Sequence, residues 1–358
     1  MEKVLLNKIE CLFLKGIAII FIILHNYCHE FPSAIEANEF LWIKGNIISF
    51  YNHLIHPSYF IISDFFSFWG HYGIVIFLFI SGYGLVMKYE QTSVPHIYKT
   101  FDFIKKHYVK LFSLMIWGFI ANMIVNKLCT DYFFHDIWTI PGQLLLIINL
   151  IPNAHINPGP YWYLGMTLQL YIIYIFLIFK KSDYSIYLLL GIFSILQLSC
   201  APDNDFLYWM RRNSIGCFLP FAIGIIFARH QHIIKNIRYN FFIVAFLIAV
   251  IFVCNFNYYL WVISPLFIVL LSIIVTKACS RSKVLFHCFE RIGRISSTIF
   301  IMHPIIHWVL LPNETKRPYI YLYIIVYTIL SILLGIIYRN FLNHVSNTNG
   351  TSYNKQQD

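Results

Sequence analysis

Two basic side chains interrupt an apolar run near the start of the chain. The run reads Leu14-Lys15-Gly16-Ile17-Ala18-Ile19-Ile20-Phe21-Ile22-Ile23-Leu24-His25, followed by Asn26-Tyr27-Cys28-His29-Glu30. On a helix rising about 1.5 Å per residue, Lys15 and His25 are separated by roughly 15 Å. With Lys15 at the inner face of a hydrocarbon layer roughly 30 Å thick, His25 falls near its middle. Ionisable groups at that depth are costly and turn to the bundle interior. Imidazole has a near-neutral pKa, which suits it to take a proton from a hydroxyl. His25 is therefore the candidate general base, set against the plainer reading of a hydrogen-bonded packing histidine.

His29 follows His25 by four residues, on the same helix face, and His303 and His307 repeat that spacing. His303 lies nine residues beyond Arg294, again roughly 14 Å into the layer. Four imidazoles could hold zinc, copper or iron. No carboxylate or cysteine pattern completes such a set, and we assign no metal. Ser81 and Gly82 stand in Phe77-Leu78-Phe79-Ile80-Ser81-Gly82-Tyr83, where small residues allow close helix approach. No Gly-x-Ser-x-Gly elbow is present, which argues against a serine nucleophile. Lys88, Lys99, Lys105, Lys106, His107 and Lys110 form a basic cluster suited to binding phosphates, or simply to setting orientation.

These residues need a membrane to position them. Hydrophobic residues make up 59% of the 358 and charged residues only 12%, about half of what a soluble domain carries. The apolar residues come in long runs with short polar breaks, at 12–29, 69–88, 108–127, 160–179, 184–200, 213–229, 241–255, 259–278, 295–311 and 319–339. The expected fold is an all-α integral membrane protein, a bundle of about ten transmembrane helices over residues 1–342. A polar, disordered cytoplasmic tail is expected over 343–358. The first run reads as a spanning helix rather than a signal peptide, because no small-x-small cleavage site follows it.

An N-terminus in the cytoplasm puts 20 of the 26 basic residues in inner segments and leaves Lys44, Lys127, Arg211, Arg212, Lys316 and Arg317 outside. That split fits the positive-inside rule and puts both termini in the cytoplasm. It also explains the net charge of +10 without nucleic acid. Most of the eight cysteines sit in apolar runs, with no CxxC pair, and imply neither disulfides nor zinc. Two outer segments are long. One, at about 30–68, is expected to lie along the interface as helix broken at Pro57. The other, at about 128–159, ends in Asn157-Pro158-Gly159-Pro160. Their aromatics suit an interface belt or a sugar-binding surface.

Four motifs, in order and on successive spans, resemble those of the acyltransferase 3 family of bacterial membrane O-acyltransferases. Lys15 through His25 is similar to its first-span motif, a basic residue followed by His. Phe77 to Tyr83 is similar to its Phe-Phe-x-x-Ser-Gly-Phe segment. Trp162-Tyr163-Leu164 with Gln169-Leu170-Tyr171 resembles its Trp-Phe-Leu and Gln-x-Tyr segment. Ile292-Gly293-Arg294-Ile295-Ser296 with Phe300 to Pro304 resembles its closing Gly-Lys-x-Ser and Leu-His-Pro segment. The chain departs from the pattern in having Lys15 in place of Arg and one residue fewer before His25, so Asn26 occupies the strict position. His107-Tyr108-Val109-Lys110 stands where the family has Arg-x-x-Arg.

The resemblance implies transfer of an acyl group, acetyl from acetyl-CoA above all, to a hydroxyl of a surface polysaccharide or its lipid-linked precursor, at the bacterial inner membrane. Acyl-CoA is then a substrate, and no permanently bound cofactor is expected. The implied base is His25. The implied donor contacts are Lys15, Lys105, Lys106 and Lys110, and the implied cavity residues are Ser81, Trp162, Gln169 and His303. The expected partners are the glycan acceptor, acyl-CoA and the lipid bilayer. The alternatives are a multi-span transporter of sugars or lipid-linked glycan, which dependence on acyl-CoA would separate from a transferase, and a non-catalytic scaffold, which would tolerate loss of His25.

Overall fold

Asparagine caps begin many of the helices. Asn7 accepts from the Glu10 amide at 2.9 Å, while the Glu10 carboxylate accepts from the Asn7 amide at 2.9 Å. This reciprocal pair starts α1, Lys8–Cys28. A computed structural model describes residues 4–31, 34–91, 100–130, 138–231, 240–311 and 316–348. Lys3, Lys99, Lys235, Arg238 and Lys355 of the inner charge count, and residues 349–358 of the expected tail, lie outside the described residues.

The described residues form helices joined by turns, with no strand among them. After α1 come α2 (Lys44–Ile55), α3 (Ile61–Trp69), a 3-10 turn at Gly70–Tyr72, α4 (Gly73–Tyr89), α5 (Thr100–Thr130) and α6 (Thr139–Leu144). Then follow α7 (Trp162–Ile173), which ends in a π turn at Tyr174–Ile178, α8 (Tyr184–Leu198), α9 (Asp205–Arg211) and α10 (Ser214–Arg229). The last five are α11 (Phe241–Cys254), α12 (Tyr258–Cys279), α13 (Lys283–Arg294), α14 (Ser296–Val309) and α15 (Ile320–Thr348).

Each of the ten apolar runs folds as helix, but six helices among the described residues are long and apolar enough to cross a membrane: Lys8–Cys28, Ile61–Tyr89, Thr100–Cys129, Gly159–Ile178, Tyr258–Cys279 and Ile320–Asn347. The other four, α8, α10, α11 and α14, have 15, 16, 14 and 14 residues. About 20 residues are needed to cross a full hydrocarbon layer. Six spans are therefore shown on length among the described residues, the expected count of about ten is not confirmed, and four shorter apolar helices pack among the six. Residues 343–348, expected in the tail, instead continue α15 as helix. In the first outer segment, α2 and α3 flank the break at Pro57.

Glycine lets α4 and α10 meet closely. A side chain at Gly82 would strike the Phe221 carbonyl, and one at Gly224 the Phe79 carbonyl. These two positions make Ser81-Gly82 a packing motif. One end of the bundle is tied by Arg229. It donates to both oxygens of Glu90 (2.8 and 2.9 Å), to Asp183 (2.7 Å) and to the Ile178 and Lys181 carbonyls (3.0 Å each). Tyr174 adds its hydroxyl to Glu90 at 2.9 Å. At the same end Lys277 reaches Glu10 at 2.7 Å, tying α12 to the start of α1. The other end carries the loops and the site.

Candidate active site

His25 is buried in the last turn of α1. Its Nδ1–H donates to the Ser67 carbonyl at 3.0 Å. A carbonyl can only accept, so the proton sits on Nδ1 and Nε2 keeps its lone pair. The approach of α3 that supplies this carbonyl depends on Gly70, where a Cβ would stand 2.6 Å from that of His25. His29 stacks on His25 with ring centroids 4.8 Å apart, and its Nδ1 donates to the His25 carbonyl at 2.7 Å. His71 sets its ring edge against His25 at 5.5 Å.

His303 faces this group from α14. Its Nδ1 donates to the Phe300 carbonyl at 2.8 Å, and its Nε2 accepts from the Asn26 amide at 3.2 Å. Adjacent residues of α1 thus divide two tasks. His25 leaves one nitrogen free to accept a proton, and Asn26 fixes the neighbouring imidazole.

His25, Asn26, His29 and His303 border one cavity of about 940 Å³. Its wall includes His25, Asn26, His29, His303 and His307 from α1 and α14, and Glu30, Asn38, Glu39 and Phe40 from the segment after α1. Residues 153–160 with Trp162, Tyr208 and Arg212 close the far side. Phe40 packs edge-on against both Trp162 (4.8 Å) and Tyr208 (5.5 Å). Asn149 binds these loops together, donating to the carbonyls of Trp162 (2.8 Å) and Arg212 (2.7 Å). Arg211 pins the segment after α1. It donates to the Glu39 carbonyl at 3.0 Å and to Gln197 at 3.0 Å, with its guanidinium 4.1 Å from the Trp261 ring centre. The hydrogen bond from His29 holds Glu30 below the usual carboxylate range. Burial pushes Glu39 up to about 7.

Residues 13–340 match the family model described as an acyltransferase domain. The chain belongs to the acyltransferase 3 family. No curated protein and no solved structure is significantly similar to it. Membership makes the chain a membrane acyltransferase, and nothing supports the transporter alternative.

Within this acyltransferase the residues singled out by sequence fall in three places. His25, Trp162 and His303 line the cavity together. Ser81 and Gln169 do not border it. Ser81 lies within hydrogen-bond distance of the Tyr171 hydroxyl, at 3.1 Å. Gln169 is consumed at the start of α10, donating to Asn213 at 2.7 Å and accepting from the Ser214 amide at 3.0 Å. Lys15, Lys88 and Lys106 lie at the opposite end, each close enough to Lys110 to act on it electrostatically. Lys105 and Lys106 are both exposed on α5. His107 is buried among aromatic rings and donates to the Phe103 carbonyl at 2.8 Å.

Sequence reasoning missed Glu39, His71, Asn126 and Arg212, all drawn to the centre by loop and helix packing. A carboxylate and an arginine in outer loops of so apolar a chain were the available hint. Among the described residues no group of three histidine, cysteine or acidic side chains converges as metal ligands. His25, His29 and His303 bind carbonyls and an amide instead.

Proposed function

We propose that this acyltransferase moves an acetyl group from acetyl-CoA to a hydroxyl of a surface polysaccharide or its lipid-linked precursor. The observation that carries the reading is the fixed tautomer of His25, with Nε2 unprotonated, in the wall of a cavity of about 940 Å³. That volume lies at the upper end of the range for small-molecule sites and admits a sugar unit. Phe40, Trp162, Tyr208 and Trp308 offer ring faces, and Asn38, Asn126, Asn153 and Asn157 offer amides, the combination that suits a polyhydroxylated acceptor.

In the reaction the acceptor hydroxyl gives its proton to His25 Nε2 as its oxygen attacks the thioester carbon. The C–S bond then breaks. The imidazolium returns the proton to the departing thiolate, so an ester and free CoA result. His303, with Nδ1 on the Phe300 carbonyl and Nε2 on Asn26, serves as a fixed part of the acceptor wall. The lysine end receives the CoA phosphates through Lys15, Lys106 and Lys110, which places that end in the cytoplasm, and the pantetheine arm reaches toward His25. Lys binds phosphate as a point charge, so this contact tolerates some freedom of position.

Mass spectrometry of cell glycans, from cells with the native chain and with His25→Ala, tests the proposal. Loss of O-acetyl groups in the variant, at unchanged membrane levels of the protein, is expected. Unchanged acetylation would overturn it.

A further inference from the structure

A second space of about 20 Å³ adjoins the cavity and shares His25, Asn26, Glu39 and Trp162 with it. Its polar lining is His25, Asn26, Glu39 and His71, and the remaining wall is aliphatic, aromatic and proline. One water needs roughly 10–15 Å³ of such space and two or more polar partners. His71 is 3% exposed, and neither of its ring nitrogens has a hydrogen bond of good geometry among the described residues. The Phe68 carbonyl, one turn earlier, can satisfy at most one of them. A buried imidazole nitrogen left without a partner is rare in folded proteins and marks an unfilled hydrogen-bonding site.

Glu39 stands on the same niche with its backbone clamped, since Arg211 donates to its carbonyl oxygen and not to its carboxyl. The carboxyl is thus positioned without being neutralised by a direct ion pair. The charged and titratable groups facing it are His25 and His29 from α1, His71 from the turn before α4, Arg211 from α9 and Cys217 from α10. Burial raises its pKa to about 7, against the pull of His29 and Arg211, so both of its forms are accessible near neutral pH.

We propose that the niche binds a single water between His71 and the Glu39 carboxyl, and that Glu39 so held is the counter-charge for His25 while the imidazole carries the acceptor's proton. The proposal rests on the acyl-transfer reading above. The water donates one hydrogen to the open His71 nitrogen and the other to the carboxylate, which can then exist beside an apolar wall. No proton passes along this path. The hydroxyl proton stays on His25 Nε2 until the thiolate takes it, and Nδ1 remains on the Ser67 carbonyl. Glu39 is a positioning residue in this scheme, acting on the reaction through the charge state of His25.

The test uses inside-out membrane vesicles from cells making the full chain, given radiolabelled acetyl-CoA, with label counted in membrane glycan across a pH series. Wild type, Glu39→Gln, Glu39→Asp and His71→Phe are compared per amount of protein in the membrane. In wild type the carboxylate favours the imidazolium and so raises the pH at which the base loses its proton. Glu39→Gln removes that support. Its acid limb should move to lower pH, and its saturating rate should fall about 10- to 100-fold, less than the roughly 10²–10⁴ that a base itself contributes. The KM for acetyl-CoA should not change. Glu39→Asp should recover part of the rate and of the pH profile, and His71→Phe should shift the profile in the same direction by less. An unchanged pH profile in Glu39→Gln, or a fall in rate that Glu39→Asp does not relieve, would overturn the proposal. Absence of label transfer by wild type would instead overturn the acyl-transfer reading on which it stands.

Discussion

The two ends of the bundle manage charge in opposite ways. At the cavity end three imidazoles have defined partners: His25 on Ser67, His303 on Phe300 and Asn26, His29 on the His25 carbonyl. At the other end Lys15, Lys88 and Lys106 are held within electrostatic reach of Lys110. Like charges gathered in that way favour a multiply charged anion. On the proposed function, the contrast assigns the demand for geometry to the cavity end, where the proposed base would take a proton along a defined line. The lysine end asks only for proximity. Arg229, Glu90 and Asp183 next to it are fully paired and act as a structural tie.

Substitutions can break this contrast or sharpen it. The largest effect is expected from His25→Ala. A positioned base contributes about 10² to 10⁴ in rate, so glycan acetylation should become undetectable by mass spectrometry while the protein still accumulates in the membrane. Asn26→Ala comes next. It frees His303 Nε2 without touching the base, and misplacement of such a group by about 1 Å can cost up to roughly 10² in rate. Transfer measured in vesicles should fall by about tenfold, and a wild-type rate would show that His303 needs no fixing. Neutralising Lys106 and Lys110 together with Gln should raise the acetyl-CoA concentration needed for half-maximal transfer several-fold and leave the saturating rate nearly intact. A reverse split, with the rate reduced and the donor requirement unchanged, would move the demand for geometry to the lysine end. Lys105→Gln, on the exposed face of the same helix, should have the smallest effect of the series, and a shift equal to that of the double variant would make the cluster a diffuse field. Labelling of engineered cysteines from outside the cell fixes the direction. Sites near Trp42 and Lys316 should react and sites near Lys181 and Lys283 should not.

Helix positions were readable because apolar runs state them directly. All ten runs begin and end within a few residues of a helix, apart from the late end of α15 and the early starts of α1 and α5. The number of full-length spans was not readable, since α8, α10, α11 and α14 carry helical runs that stop at 14 to 16 residues. Counting depth along α1 points to His25 and motif order to Trp162 and His303, and all three line the cavity. The same motif misplaced Gln169, because membership in a motif says nothing about which neighbour takes the side chain, and Asn213 and Ser214 take this one. Glu39 and His71 were out of reach, since their roles depend on a loop folding back over the end of α1 and on a 3-10 turn at Gly70–Tyr72. Asn26 looked like a displaced counterpart of His25, and the structure gives it the separate task of holding His303.

The Asn26–His303 bond joins residues 277 positions apart. A ribosome adding about 5–20 residues per second needs roughly 15 to 55 seconds to cover that distance. The first helix therefore enters the bilayer with His25 and Asn26 long before their final neighbours exist, and Ser67 reaches His25 well before His303 reaches Asn26. Synthesis order makes the base the early-formed part of the site and the acceptor wall the late one. A nascent chain stopped after α3 and before α14 has both His25 and its Ser67 partner but lacks the wall that carries His303.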